Sequence, residues 1–192
     1  MQTLEHFMTD LDRALQGCRG PEEASCQTCD ILRKYSQERI ELPVELTQNG
    51  NECYARHLIH RSQPNGYCVV AMVWGPGQGT AVHDHGGTWC VEGCMQGELQ
   101  ITSYRLNEET AAGISLSREG SVNVSPGCVG CLIPPFEHHK IENVSGANAI
   151  TIHVYGEELL KCRRYLPRED GLYRTEMGCL SYNSEHAGRF LS

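Results

Sequence analysis

The sequence predicts a mainly β protein, a small antiparallel β-barrel with an N-terminal helical segment packed outside it. Two observations predict it. Apolar residues in the first fifty positions recur at helical spacing, whereas from Cys53 onward the chain breaks into runs rich in Val, Ile, Tyr and Thr. Turn-forming clusters separate those runs, at Pro64-Asn65-Gly66, Asn107-Glu108, Pro126-Gly127 and Ser145-Gly146.

Taken in order, Leu4, Phe7, Met8, Leu11 and Leu15 lie on one face of a first helix. Pro21-Glu22-Glu23 opens a second helix, which reaches about Tyr35, and Pro43 interrupts the segment after it. At 192 residues the chain is expected to form one domain, 1–192. Its parts are a helical segment over about 1–50, the barrel over about 52–156, and a C-terminal extension whose last stretch, from Gly171 through Tyr182 to Ser192, is turn-rich and either folds over the barrel or contacts a partner.

Composition narrows the function classes. The net charge of −8 opposes binding to nucleic acid or to anionic membranes. No stretch has the apolar length of a membrane helix, and Met1-Gln2-Thr3-Leu4-Glu5 lacks the basic flank and apolar core of a signal peptide, so a cytoplasmic protein is expected. The eleven cysteines are an odd number, which favours reduced thiols over a disulfide framework. Cys26-x-x-Cys29 and Cys128-x-x-Cys131 have zinc-like spacing but sit in a helix and a strand without a zinc-ribbon context, and they read as incidental thiols.

The most informative feature is His83-Asp84-His85 with His139 far downstream. Residues two apart on a strand point the same way, so both imidazoles of the pair can reach one ion while Asp84 points elsewhere. Alone, such a pair is as well read as two hydrogen-bonded histidines. Three nitrogens with open positions suit non-haem Fe(II), and zinc with a bound water competes. His138 and His139 must face opposite ways, and the spacing to Asn143 selects His139. His57 and His60 read as surface or hydrogen-bonded residues.

Glycine and cysteine spacing around the pair resembles the first cupin motif: Gly77, His83, His85, Cys90 and Gly97, with Cys90 where cupins normally carry a glutamate ligand. His139 and Asn143 are similar to the end of the second motif, although Phe136 stands where that motif expects glycine. Over about Cys53 to Tyr155 the chain more closely resembles the cysteine dioxygenase family of cupin-fold thiol dioxygenases, through Tyr54-Ala55-Arg56, Trp74-Gly75, His83-Asp84-His85, His139 and Thr151-Ile152-His153-Val154-Tyr155.

That resemblance implies Fe(II) at His83, His85 and His139, with L-cysteine and O2 as partners and cysteine sulfinic acid as product. It places Arg56 on the substrate carboxylate with Tyr54 and Trp74 in the substrate-binding set, and makes Tyr155 the active-site phenol, held by Thr151 and His153. In some members a cysteine at the Cys90 position forms a thioether to that tyrosine; Cys90 is either such a crosslink to Tyr155 or a buried thiol. Relatives acting on mercaptopropionate tend to carry glutamine at the Arg56 position, which argues for cysteine. The alternatives are a dioxygenase for another small carboxylate thiol, such as 3-mercaptopropionate or mercaptosuccinate, a zinc-dependent enzyme, and a non-catalytic metal-binding cupin module. The Thr151 to Tyr155 run also alternates by itself, with Thr151, His153 and Tyr155 on one face and Ile150, Ile152 and Val154 on the other.

Overall fold

The structure is a computed structural model describing residues 3–50 and 52–187. The sequence expectations that touch Met1 and Gln2, and the end of the C-terminal stretch from 188 to Ser192, lie outside the described residues. Helix α1 spans Leu4–Leu15 and buries the five apolar residues that its spacing marks. Thr3 caps it: its hydroxyl accepts from the His6 backbone N–H at 3.3 Å, and His6 Nδ1 accepts from the Thr3 N–H at 3.3 Å. Helix α2 spans Pro21–Gln37, opened by proline at a position that needs no N–H donor and by two acidic residues in its first turn. A short 3-10 turn, Val44–Leu46, comes directly after Pro43.

Twelve strands follow among the described residues: β1 Ala55–Arg61, β2 Cys68–Trp74, β3 Val82–His83, β4 Cys90–Gln96, β5 Leu99–Thr110, β6 Gly113–Val124, β7 Val129–Leu132, β8 His139–Glu142, β9 Ala149–Tyr155, β10 Lys161–Pro167, β11 Tyr173–Cys179 and β12 Ser184–Glu185. They form two sets. One is a sheet in the order β12-β1-β2-β9-β4-β7, and the other, β10-β11-β6-β5-β8-β3, closes on itself through β3 and β10. Apart from the parallel β1–β12 pair, neighbouring strands run antiparallel.

The first sheet is covered on both faces, and β2 shows why its seven residues are all buried. Val69 and Ala71 point outward into a core shared with Phe7, Leu11, Leu32 and Tyr35 of the helices. Cys68, Val70, Met72 and Trp74 point inward, beside Cys90 and Tyr155. A strand buried on both faces reads as a continuous apolar run instead of an alternating one. Helix α2 lies close on β4 because residue 93 is glycine; a Cβ there would come within 2.8 Å of Leu32 Cγ. The Ser36 hydroxyl pins the far end of α2, donating to Cys94 O and accepting from the Gly127 N–H at 2.7 Å.

Two expectations need correcting. Asn107-Glu108 is not a turn but the interior of β5, where the register slips between Leu106 and Glu108. The Asn107 side chain reaches the Ser117 hydroxyl at 2.7 Å on β6, so its polarity serves a bulge. The stretch after about residue 156 is not an appendage either. Strands β10 and β11 complete the second set, pairing Arg164 with His83 and Tyr173 with Ile114, and β12 pairs with β1. Exposed positions outnumber buried ones on β11, which hides its strand pattern among turn residues.

Leu32 is fully buried between α2 and β4. Replacing it by alanine opens a cavity at the helix–sheet contact and is expected to cost about 2–5 kcal/mol. Urea unfolding monitored by circular dichroism checks this; an unchanged midpoint would mean α2 does not hold the sheet.

Candidate metal centre

The centre lies between the two strand sets, where β3 and β8 place His83 opposite His139 in register and the loop after β3 carries His85 inward. The three rings form a triangle with centroid separations of 4.7 Å (His83–His139), 5.0 Å (His85–His139) and 5.2 Å (His83–His85). Their ligand nitrogens lie within 4.8 Å of one another. Burial and the neighbouring imidazoles push His83 down to about 3 and hold His139 well below the ordinary histidine value, so both are neutral at physiological pH with a lone pair to donate.

Each ring has an acceptor beside Nδ1. His83 Nδ1 faces Ala81 O at 3.1 Å, His85 Nδ1 faces Glu137 Oε2 at 3.2 Å, and His139 Nδ1 faces Glu92 Oε1 at 3.5 Å. Glu137 also accepts from the His85 backbone N–H at 2.8 Å, which fixes the loop together with the ring. With Nδ1 assigned to these contacts, Nε2 is the nitrogen left for a ligand. Both ring nitrogens of His139 are buried without a hydrogen-bond partner, Nδ1 with Glu92 Oε1 nearby at 3.5 Å and Nε2 with none, and a buried orphan nitrogen beside two further imidazoles is what a divalent metal would satisfy. The residues therefore fit a metal.

Asp84 points away, accepting from the Arg163 N–H at 2.8 Å and the Gly86 N–H at 3.2 Å. His138 likewise faces outward from the centre, with Nε2 3.1 Å from the Tyr165 hydroxyl. His57 is buried, held between Ser184 Oγ and Gln48 O at 2.7 Å each, and His60 is buried against Tyr67.

Glu92 and Glu137 carry no expectation from the sequence, and both have a simple signal. Glu92 is two residues after Cys90 on β4 and therefore shares its inward face. Its second oxygen lies 3.5 Å from His153 Nδ1, so one carboxylate lies between a candidate ligand and His153. Burial pushes its carboxyl up to about 8. Glu137 directly precedes the His138-His139 pair.

On β9, the inward face carries Thr151, His153 and Tyr155 while Ile152 and Val154 enter the helix-side core. The Trp74 indole donates to Thr151 Oγ1 at 2.9 Å, which leaves the threonine proton for His153 Nε2 at 2.7 Å and puts the imidazole N–H on Nδ1, 3.9 Å from Cys90 Sγ and 3.5 Å from Glu92 Oε2. The imidazole does not hydrogen-bond the phenol. His153 and Tyr155 stack with centroids 5.8 Å apart and an interplanar angle of 17°, and the Tyr155 hydroxyl meets Met72 Sδ at 3.9 Å. The phenol is thus placed by packing. Cys90 sits opposite Tyr155 in the β4–β9 register, with both side chains buried.

Arg56 on β1 is 4% exposed. Nη2 donates to Leu159 O at 3.0 Å, the Tyr182 ring lies 4.8 Å from the guanidinium, and Nη1 is buried without a partner. Tyr54 packs on Trp74 with centroids 4.5 Å apart. A cavity of about 470 Å³ is lined by Arg56, Tyr54, Trp74, His83, His85 and Tyr155, among others. Among the described residues, His83/His85/His139 and Cys90/Glu92/His153 are the groups of three or more candidate ligands that lie together, so the two Cys-x-x-Cys pairs do not form a four-thiolate site.

Two packed strand layers around three inward imidazoles, with a cysteine in place of the usual glutamate, define a cupin with an all-histidine centre. The chain belongs to the cysteine dioxygenase type I family, whose profile matches residues 30–168. It is 26% identical to cysteine dioxygenase type 1 of Bos taurus over 166 residues, 82% of this chain and 78% of that protein. With the Danio rerio protein of the same name it shares 27% over 114 residues, 58% of this chain and 55% of the relative, so that match spans about half the relative's length. Among solved structures, a double-stranded β-helix protein from Klebsiella pneumoniae is similar at 20% identity and a TM-score of 0.45, covering 61% of this chain and 88% of that one.

His139→Ala is expected to abolish tight Co(II) binding, whereas His138→Gln leaves one metal per chain. Glu137→Ala, which frees the His85 ring, is expected to weaken Co(II) about 10–100-fold. Equilibrium titration of the visible Co(II) bands reads all three, and equal losses at 138 and 139 would misplace the centre.

Proposed function

We propose that the chain is an iron-dependent thiol dioxygenase that oxidises L-cysteine with O2 to cysteine sulfinic acid. The observation that carries this reading is the Arg56 guanidinium, buried in the same cavity as His83 and His85, with one donor nitrogen unpartnered. A buried, permanently charged, planar group with a spare donor suits a carboxylate. In this reading His83, His85 and His139 hold Fe(II), which when bound supplies the redox chemistry that joins O2 to sulfur.

The protein's own groups do the rest. Arg56 fixes the substrate carboxylate, with Tyr182 stacked on the guanidinium and Leu159 O holding its other arm, so the thiol end is directed to the histidines. Tyr54 and Trp74 wall the cavity. Burial raises the Tyr155 phenol well above its ordinary value, so it stays protonated and can donate a hydrogen bond to an anionic group in the cavity. Trp74, Thr151 and His153 position that phenol through the stacked imidazole. The facing positions of Cys90 and Tyr155 support a thioether between Cys90 Sγ and a ring carbon, formed with loss of two hydrogens to an oxidant such as O2. Eleven free thiols fit a reducing, cytoplasmic setting.

Iron-loaded protein is expected to consume one O2 per cysteine in an oxygen-electrode assay. Arg56→Gln is expected to raise KM for cysteine about 10–100-fold, the range for losing one charge-assisted hydrogen-bonded pair. Oxygen uptake with none of cysteine, 3-mercaptopropionate and mercaptosuccinate would sink the proposal, and uptake with mercaptopropionate alone would change the substrate. After aerobic turnover, peptide mass analysis is expected to find a linked Cys90–Tyr155 pair lighter by two hydrogen atoms; Cys90 that alkylates freely would rule the crosslink out.

A further inference from the structure

The two Cys-x-x-Cys pairs do not meet as a foursome, but helix α2 runs along the edge strand β7 in a way that brings one cysteine of each pair together. The path can be traced contact by contact. Ser36 of α2 bonds the Gly127 N–H just before β7 and Cys94 O on β4. Leu32, one turn back, lies over Gly93, whose register partner on β7 is Val129. Val129 and Cys29 both pack against the helix-side core. One more step along each element leads from Leu32 to Cys29 and Ser25, and from Val129 to Cys131, which shares Val129's face of the strand. The lengths agree: the seven-residue step from Ser36 to Cys29 rises about 10 Å along the helix, and the four-residue step from the turn at Gly127 to Cys131 on β7 spans at most about 13 Å.

At that point the Cys29 and Cys131 thiols are in contact, and the Ser25 hydroxyl also reaches Cys131. Cys131 is solvent-exposed and Cys29 half-buried. Two donors converging on the Cys131 sulfur lower its thiol to about 6 and raise that of Cys29, so the exposed member is the thiolate. Among the described residues strand β7 is the edge strand of its sheet, hydrogen-bonded to β4.

We propose that Cys29 and Cys131 form a peroxide-responsive dithiol that closes to an intramolecular disulfide between α2 and β7. The Cys131 thiolate attacks a peroxide oxygen, giving Cys131 sulfenic acid and hydroxide. The Cys29 thiol then attacks that sulfur, the S–S bond forms, and the hydroxyl leaves with the thiol proton as water. Two electrons pass from the sulfur pair to the peroxide. The opposite face of β7 carries Gly130 beside Glu92, where a Cβ would come within 3.5 Å of Glu92 Cγ, and Leu132 beside the cluster holding Cys90 and Tyr155. The disulfide therefore tightens the strand behind the metal centre without using any of its ligands.

Fully reduced metal-free protein treated with one equivalent of hydrogen peroxide, then alkylated and mapped without reductant, tests this. The expected result is a linked peptide pair joining Cys29 to Cys131, formed before the exposed Cys26, Cys53, Cys128 and Cys179 react. In Cys29→Ser the expected product is instead a Cys131 sulfenic acid trapped by dimedone, and the oxidised wild type is expected to unfold at a higher urea concentration than the reduced. A Cys26–Cys29 or Cys128–Cys131 bridge, or oxidation spread evenly over the exposed thiols, would overturn the proposal.

Discussion

The outward nitrogens of three inward-facing imidazoles, two buried and one half-buried, need acceptors, and most of the local architecture serves to supply them. A backbone carbonyl at Ala81 serves His83, Glu137 serves His85, and Glu92 lies beside His139. Without these partners the rings could rotate or change tautomer, and a metal would have to order them itself. With them, the lone pairs converge before any ion arrives, which is the usual way a surrounding shell raises metal affinity. The cost is two carboxylates in a low-dielectric interior, one of them raised to about 8 by burial. A divalent cation among the three nitrogens would offset that cost, so metal binding and the burial of Glu92 are coupled.

Much of the site was readable in the sequence because its spacings are short. His83 and His85 announce themselves as a pair, and Thr151, His153 and Tyr155 alternate along one strand. Strand parity requires only that His138 and His139 face opposite ways, as they do, and it is the spacing to Asn143 that selects His139. The hidden part depends on contacts across the sheets. Glu92 looks like any acidic residue in a β-run until β9 brings His153 and β8 brings His139 to its two oxygens. Tyr182 lies in a turn-rich stretch that gives no hint of reaching Arg56. The hold of His153 on Tyr155, which the family resemblance implies, is a stacked pair in the fold, because ring orientation is set by packing and not by alternation.

The absent cupin glutamate is a related case. Position 90 holds a thiol facing Tyr155, and a carboxylate reappears two residues later on the same face. From there it addresses the far nitrogen of His139. The candidate ligands are then all nitrogen donors, and the Glu92 carboxyl, whose protonated form burial favours, stands behind the imidazole; an ion at the histidines would attract an anionic thiolate more strongly than a carboxylate-ligated one.

Arg56 is clasped by a segment that contains none of the histidines. Asn183 exchanges hydrogen bonds with the Arg56 backbone, N–H to Oδ1 at 2.9 Å and N–H to carbonyl at 2.7 Å, and Tyr182 lies against the guanidinium. The histidine cluster and the buried guanidinium are thus supported by separate lengths of chain. If Arg56 anchors the substrate as proposed, drift in the tail would retune which small acids are accepted while the histidine cage stays as it is, so closely related sequences with identical cages need not share a diet.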